Sequence, residues 1–214
     1  ISCLITIIII PFYTILGILL CILSAYIFYF FRDPIRAIPK DDVIVSPADG
    51  LVTFIGTEKN PLENNLDKNN YTKISIFLSI FDVHVNRMPL DACISSINYI
   101  PGKFFNATLD KSSKENERNI IYAKKNEGSF YIVQIAGLIA RRIVCNIKIN
   151  QEVIKGDRIG IIKFGSRVDL YIPQNYNILI SKGQKVVGGE TIISNPKNIQ
   201  NIKSSILKWT NKIL

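Results

Sequence analysis

Hydrophobic and polar positions divide the chain into three unequal parts. The first 31 residues, ISCLITIIIIPFYTILGILLCILSAYIFYFF, contain no Lys, Arg, Asp or Glu. A bilayer-spanning helix needs roughly 20 apolar residues. The run is long enough for one tilted helix from about Pro11 to Phe31, or for a re-entrant hairpin of two short helices broken at Pro11 and Gly17. Tyr26, Phe28, Tyr29, Phe30 and Phe31 crowd its end like an interfacial belt, and Arg32, Arg36 and Lys40 follow at once, which favours the cytoplasmic side for what comes next. A cleaved signal peptide fits less well, because it needs a shorter apolar core and small residues at its end. From residue 43 the pattern changes to short apolar runs between turn residues. Strands are expected at Val43–Val45, Leu51–Ile55, Lys73–Ile80, 120–124, 129–136 and 142–149, with polar loops at 57–70 and 110–119. EVIKGDRIGII (152–162) and QKVVGGETIIS (184–194) form a weak repeat of strand, Gly turn, acidic residue and strand. The tail places Ile199, Ile202, Ile206, Trp209 and Ile213 on one helical face. The expected architecture is mainly β within an α+β class. A membrane segment (1–31) precedes one β-sandwich or barrel-sandwich domain (32–196), and an amphipathic helix (197–214) follows it.

Charge refines this picture. Lys and Arg number 26 against 17 Asp and Glu, a net charge of +9 carried outside the apolar leader. Beside a bilayer that excess favours anionic lipid headgroups. Nucleic acid is the other partner of a basic chain, but the basic residues are scattered and no recognition motif is present. The four cysteines, at 3, 21, 93 and 145, form no C-x-x-C pair, so neither a zinc framework nor a disulfide scaffold is expected. The only methionine is Met88, and the chain opens on Ile1 as a fragment or a processed form would.

Few side chains suit acid–base chemistry. His84 is the only histidine, and the only side chain whose ordinary pKa lies near neutrality. Asp49 lies in the turn Ser46-Pro47-Ala48-Asp49-Gly50. In Phe164-Gly165-Ser166-Arg167-Val168-Asp169, glycine leaves the carbonyl before the serine unhindered and permits unusual backbone angles. The Ser166 hydroxyl could attack that carbonyl if a base stood nearby. A second pair, Gly128-Ser129, reads as an ordinary turn.

Six segments, FFRDPIR (30–36), SPADG (46–50), FLSIFDVHVNRMP (77–89), DKSSKENERN (110–119), QIAGLIARRIV (134–144) and GIIKFGSRVDLYIP (160–173), follow one another as in a known family. The chain resembles the phosphatidylserine decarboxylase proenzymes in their short bacterial and archaeal form. The resemblance implies cleavage between Gly165 and Ser166 into a β chain (1–165) and an α chain (166–214) that remain together as a heterodimer, with a higher oligomer left open. Ser166 would become a covalent pyruvoyl group, and the substrate would be phosphatidylserine in the cell (inner) membrane. Its amine would form a Schiff base and lose CO₂ to leave phosphatidylethanolamine, without metal, nucleotide or added cofactor. His84 would donate the proton and assist cleavage, and Asp49 would orient it. Longer members carry H-x-x-H-x-P, the second histidine being the one linked to Asp and Ser; here Arg87 holds that position. Either His84 serves both steps or Asp49 acts on Ser166 more directly. Arg87, Arg118, Arg141 and Arg142 are candidates for the lipid phosphate or the serine carboxylate.

Two other readings compete. Paired hairpins like the repeat occur in lipoyl and biotinyl carriers, so a membrane-anchored adaptor without catalysis is the alternative, with Lys163 as its modifiable lysine. A membrane-bound serine peptidase would use Ser166 or Ser46 with His84.

Removing residues 1–31 should free the protein from membranes at high salt and less completely at low salt. Only the +9 remainder would then attract headgroups, and that attraction is screened over about 10 Å at 0.1 M salt. Sedimentation with vesicles checks this; co-sedimentation regardless of salt would place the anchor elsewhere in the chain.

Overall fold

The structure is a computed structural model that describes residues 2–62, 69–105, 115–125, 128–137, 142–163 and 165–197, and side chains from Tyr13 on. The expected helix at 197–214 lies outside the described residues beyond Lys197, as does the first half of the 110–119 loop. The chain separates into two compact units, Ile1–Pro34 and Ile35–Leu214.

The first unit is one uninterrupted helix, α1 (Ser2–Phe30). Pro11 does not divide it, so the two-helix hairpin is not what forms and the helix starts well before Pro11. A proline removes one hydrogen bond from the helical ladder, a loss that apolar helices tolerate. At 1.5 Å per residue, 29 residues span about 43 Å, more than the ~30 Å hydrocarbon core. The stretch Tyr13–Phe30 is apolar enough to cross a membrane, and nearly all its large side chains are exposed. Beyond the helix the Arg32 guanidinium lies 3.8 Å from the Tyr29 ring centre and donates to the Tyr29 carbonyl.

The second unit is antiparallel β. Among the described residues fourteen strands follow one another: β1 (Ile44–Val45), β2 (Gly50–Lys59), β3 (Asn70–Leu78), β4 (Val85–Arg87), β5 (Ala92–Ile100), β6 (Arg118–Lys125), β7 (Gly128–Ile135), β8 (Ile143–Cys145), β9 (Glu152–Val153), β10 (Arg158–Ile162), β11 (Ser166–Pro173), β12 (Tyr176–Ile178), β13 (Lys185–Val186) and β14 (Ile192–Pro196). Eight form a large sheet in the order β13-β2-β3-β11-β7-β6-β5-β9, and the others form two small sheets, β4-β10-β8 and β1-β14-β12. The main core lies between them. Val52, Ile74, Ile76, Ile121, Ile132, Val168 and Leu170 from the large sheet meet Ile44, Ile159, Ile162, Tyr176 and Ile193 from the small ones. The opposite face of the large sheet buries a second cluster, with Tyr71, Tyr131, Val133, Ile135 and Tyr171.

The repeat is real, but its strands do not pair with each other. β9 joins β5 while β10 joins β4 and β8; β13 joins β2 while β14 joins β1 and β12. Each copy carries the chain from the large sheet to a small one. The crossing turns need glycine, Gly156 at φ 91° and Gly189 at φ 82°, in the left-handed region that favours residues without Cβ. A Cβ on either would also press on the Ile38 side chain, at 2.6 and 2.9 Å. The segment after α1 thus lodges Ile38 beneath both turns.

Candidate active site

Strand β11 is hydrogen-bonded on both edges, and its first residue is Ser166. Strand side chains alternate between faces. Ser166, Val168 and Leu170 therefore point to the main core, while Arg167, Asp169 and Tyr171 point to the other face. Ser166 is fully buried, and its Oγ has no hydrogen-bond partner. The other serines considered are committed: Ser129 Oγ and Tyr122 Oη share a hydrogen bond of 2.9 Å, and Ser46 Oγ donates to the Ala48 carbonyl at 2.6 Å. A buried hydroxyl without a partner is costly, so its presence asks for a reason. Gly165 before it has φ 58°, with nothing within 4 Å of a Cβ placed there. Glycine is required here by backbone conformation rather than by crowding.

Register brings the other sequence candidates to the same end of the sheet. Leu51, Phe77 and Arg167 form one row across β2, β3 and β11. Ser166 pairs with Leu78 one row further on, and β2 begins at Gly50, directly after Asp49. β3 ends at Leu78, the chain turns over at Ser79–Asp82, where Asp82 Oδ2 accepts from the Ser79 amide, and His84 precedes β4. His84 is fully buried, and its Nδ1 lies 2.9 Å from the Asp82 carbonyl. A carbonyl can only accept, so Nδ1 carries the hydrogen and the neutral ring keeps its basic lone pair on Nε2.

The Asp49 carboxylate binds the Arg36 guanidinium at 2.8 and 2.9 Å and accepts from the Gly188 amide at 2.7 Å. Arg87 is buried; its guanidinium donates to the Gly156 carbonyl and its amide to the Pro47 carbonyl. It braces the turns of the repeat. Arg118 shares a cross-strand row with Ile135 and Arg167, on the face opposite the Ser166 hydroxyl. Arg142 is exposed, and its carbonyl accepts from Lys163, two residues before Gly165. Arg141 lies outside the described residues.

Sequence reasoning missed a chain of buried amides. Asn119 Nδ2 donates to Gln134 Oε1 at 3.0 Å, Gln134 Nε2 to Asn86 Oδ1 at 2.9 Å, and Asn86 Nδ2 to the His84 carbonyl at 3.4 Å. Gln134 pairs with Val168 on β11, so the chain joins the serine's sheet to the strand beside the histidine. Gly160 makes room for it, since a Cβ there would stand 3.0 Å from Gln134 Nε2 and 2.1 Å from the Val144 carbonyl oxygen. A lone Gln in the apolar strand GSFYIVQI was the available signal. Asn116 was also missed, inside what reads as a polar loop. It is fully buried and fastens the Ala136 carbonyl and both backbone polar groups of Phe105.

Comparison with known proteins decides the family. A family model described as phosphatidylserine decarboxylase matches residues 23–194. The chain belongs to the phosphatidylserine decarboxylase family. Family members described as phosphatidylserine decarboxylase proenzyme include one from Ehrlichia chaffeensis, 51% identical over 182 residues, covering 84% of this chain and 79% of the relative. A Rickettsia africae member is 50% identical over 181 residues, 84% of this chain and 78% of the relative. One from the Wolbachia of Brugia malayi is 51% identical over 170 residues, 78% and 74% of the two chains.

Gln134→Leu should lower stability by roughly 1–3 kcal/mol for each buried amide group left without a partner. Asn119→Ala added to it should cost less than the sum of the two changes, because the groups share one network. Urea unfolding of the three variants measures this; an unchanged midpoint for Gln134→Leu would show that the amide chain carries no stability.

Proposed function

We propose that this chain cuts itself between Gly165 and Ser166 and then decarboxylates phosphatidylserine to phosphatidylethanolamine at a pyruvoyl group made from Ser166. The observation that carries the reading is the buried, unpartnered Ser166 hydroxyl behind the left-handed Gly165, in a chain of this family. These features suit a group built from residue 166 itself. Ser166 Oγ attacks the Gly165 carbonyl carbon and gives its proton to His84 Nε2. The Gly165–Ser166 amide bond breaks as the ester forms, and the freed amine takes that proton from His84. Loss of the Ser166 α-hydrogen then breaks the Cβ–O bond, releasing the 1–165 chain as a carboxylate. The remaining enamine takes up water and releases ammonia.

Once formed, a pyruvoyl carbonyl supplies an acceptor for the electrons left when CO₂ departs from an attached amine. His84 is the proposed proton donor to the carbon that loses CO₂. Arg142, exposed beside the strand that leads to Gly165, is the proposed contact for the serine carboxylate or the phosphate. Asp49 acts by position, tying the end of β2 to Arg36 and to the Gly188 turn. Cleavage would leave the two chains interleaved: β11 stays between β3 and β7, β13 beside β2, and β14 beside β1. The apolar α1 and the basic residues directly after it support a membrane-anchored enzyme facing the cytoplasm.

On a denaturing gel, Ser166→Ala should remain one band while Ser129→Ala gives two. His84→Ala should slow cleavage, and any matured fraction should release CO₂ about 10²–10⁴-fold more slowly, as for a missing general acid or base. A Ser166→Ala protein that still splits at 165/166 would exclude the serine mechanism, and a His84→Ala protein that matures and turns over normally would make His84 structural.

A further inference from the structure

On the face of β11 turned away from the reacting serine lies a buried set of charges that the chemistry does not use. Asp169, 1% exposed, takes Arg167 from its own strand, with Nε–Oδ1 2.8 Å and Nη2–Oδ2 3.1 Å. It also faces Lys73 of β3, with Nζ–Oδ2 3.7 Å. Lys73 is itself buried and reaches out to Glu58 of β2 at 3.2 Å. Buried ion groups add little stability over well-packed apolar side chains of similar volume, so burial alone gives no reason for charge here. What a guanidinium hydrogen-bonded to a carboxylate through Nη2, with Nε in close ion contact, adds is a preferred direction. We propose that the Arg167–Asp169–Lys73 cluster is a clamp that keeps the severed end of β11 in register after the chain is cut before Ser166, with Asp169 as its positioning residue. This rests on the self-cleavage proposed above.

The need for such a clamp follows from the cut. In the intact chain Ser166 is held by a covalent bond to Gly165. Afterwards residue 166 is a chain end, and chain ends fray because opening them disturbs few contacts. Any displacement of this end moves the group on which turnover depends. Fraying through residue 167 would pull Arg167 out of the sheet and leave Asp169 and Lys73 buried without it, which resists the opening. Lys73 belongs to the segment before the cut and Asp169 to the segment after it, so this contact would tie the two chains across β3 and β11. By strand alternation the clamp lies on the face opposite the Ser166 hydroxyl.

The test compares cut and uncut protein. Asp169→Asn and, separately, Lys73→Gln are made with Ser166 intact and in the Ser166→Ala form, and hydrogen–deuterium exchange is followed by mass spectrometry in peptides covering 166–172. Either substitution should speed exchange about tenfold or more in the cut protein and by clearly less in the uncut one, where the covalent link still holds the strand. An equal rise in both forms, or no rise in the cut form, would reduce the cluster to an ordinary ion pair and overturn the clamp. Folded variants that are not cut would place its role before the break and overturn it too. If the parent protein itself yields no small chain on a gel, the self-cleavage reading fails and the clamp with it; a small chain with unchanged exchange contrasts would sink the clamp alone.

Discussion

The site depends on the placement of one strand. β11 is hydrogen-bonded to β3 on one edge and β7 on the other along most of its length, and Ser166 is its first residue. A strand paired on both edges cannot slip by one residue without turning every side chain to the wrong face. That constraint sends the Ser166 hydroxyl to the core side and Arg167 and Asp169 to the other. It also leaves Gly165 at the point where the ladder ends and the backbone is free to take a left-handed angle. A serine fixed by a sheet behind a residue released from it is the arrangement that the proposed attack on the chain's own carbonyl would use. The same pairing would hold the pieces together, because the strands after the cut are built into sheets begun before it.

The small sheets act as the other jaw. β4, with His84 just before it, is held by β10, by the contact of the Arg87 amide with Pro47, and by the amide chain through Asn86 and Gln134. Arg87 is buried and braces the repeat turn at Gly156 from inside. Asp49 likewise binds Arg36, from the segment that follows the apolar helix. Both of these motif residues are thus hydrogen-bonded to neighbouring segments of the frame.

Much of the fold was legible because alternation and turn residues mark strands in short runs. The strands at Val43–Val45, Leu51–Ile55 and Lys73–Ile80 appear within a few residues as β1, β2 and β3. β5 was not anticipated, since ACISSINYI is mixed in polarity and mostly half-buried on both faces. The repeat was visible, but its pairing was not: strands of two residues contain no register signal, and tertiary contacts assign them to different sheets. Gly165-Ser166 and His84 could be singled out because each is chemically scarce. Gln134, Asn119 and Asn116 could not, because a buried amide looks like a surface one until its partners are known. Arg167 and Asp169 alternate with apolar residues as in a strand with one wet face, yet both faces of β11 are buried.

Intact mass spectrometry of the purified wild-type protein tests the central claim most directly. Self-processing predicts two chains, one ending at Gly165 and one running from residue 166 to Leu214. The second would weigh less than its unmodified peptide by the difference between a serine and a pyruvoyl terminus, the loss of one ammonia. A single uncut chain, or a small chain that begins with an unmodified serine, would contradict it.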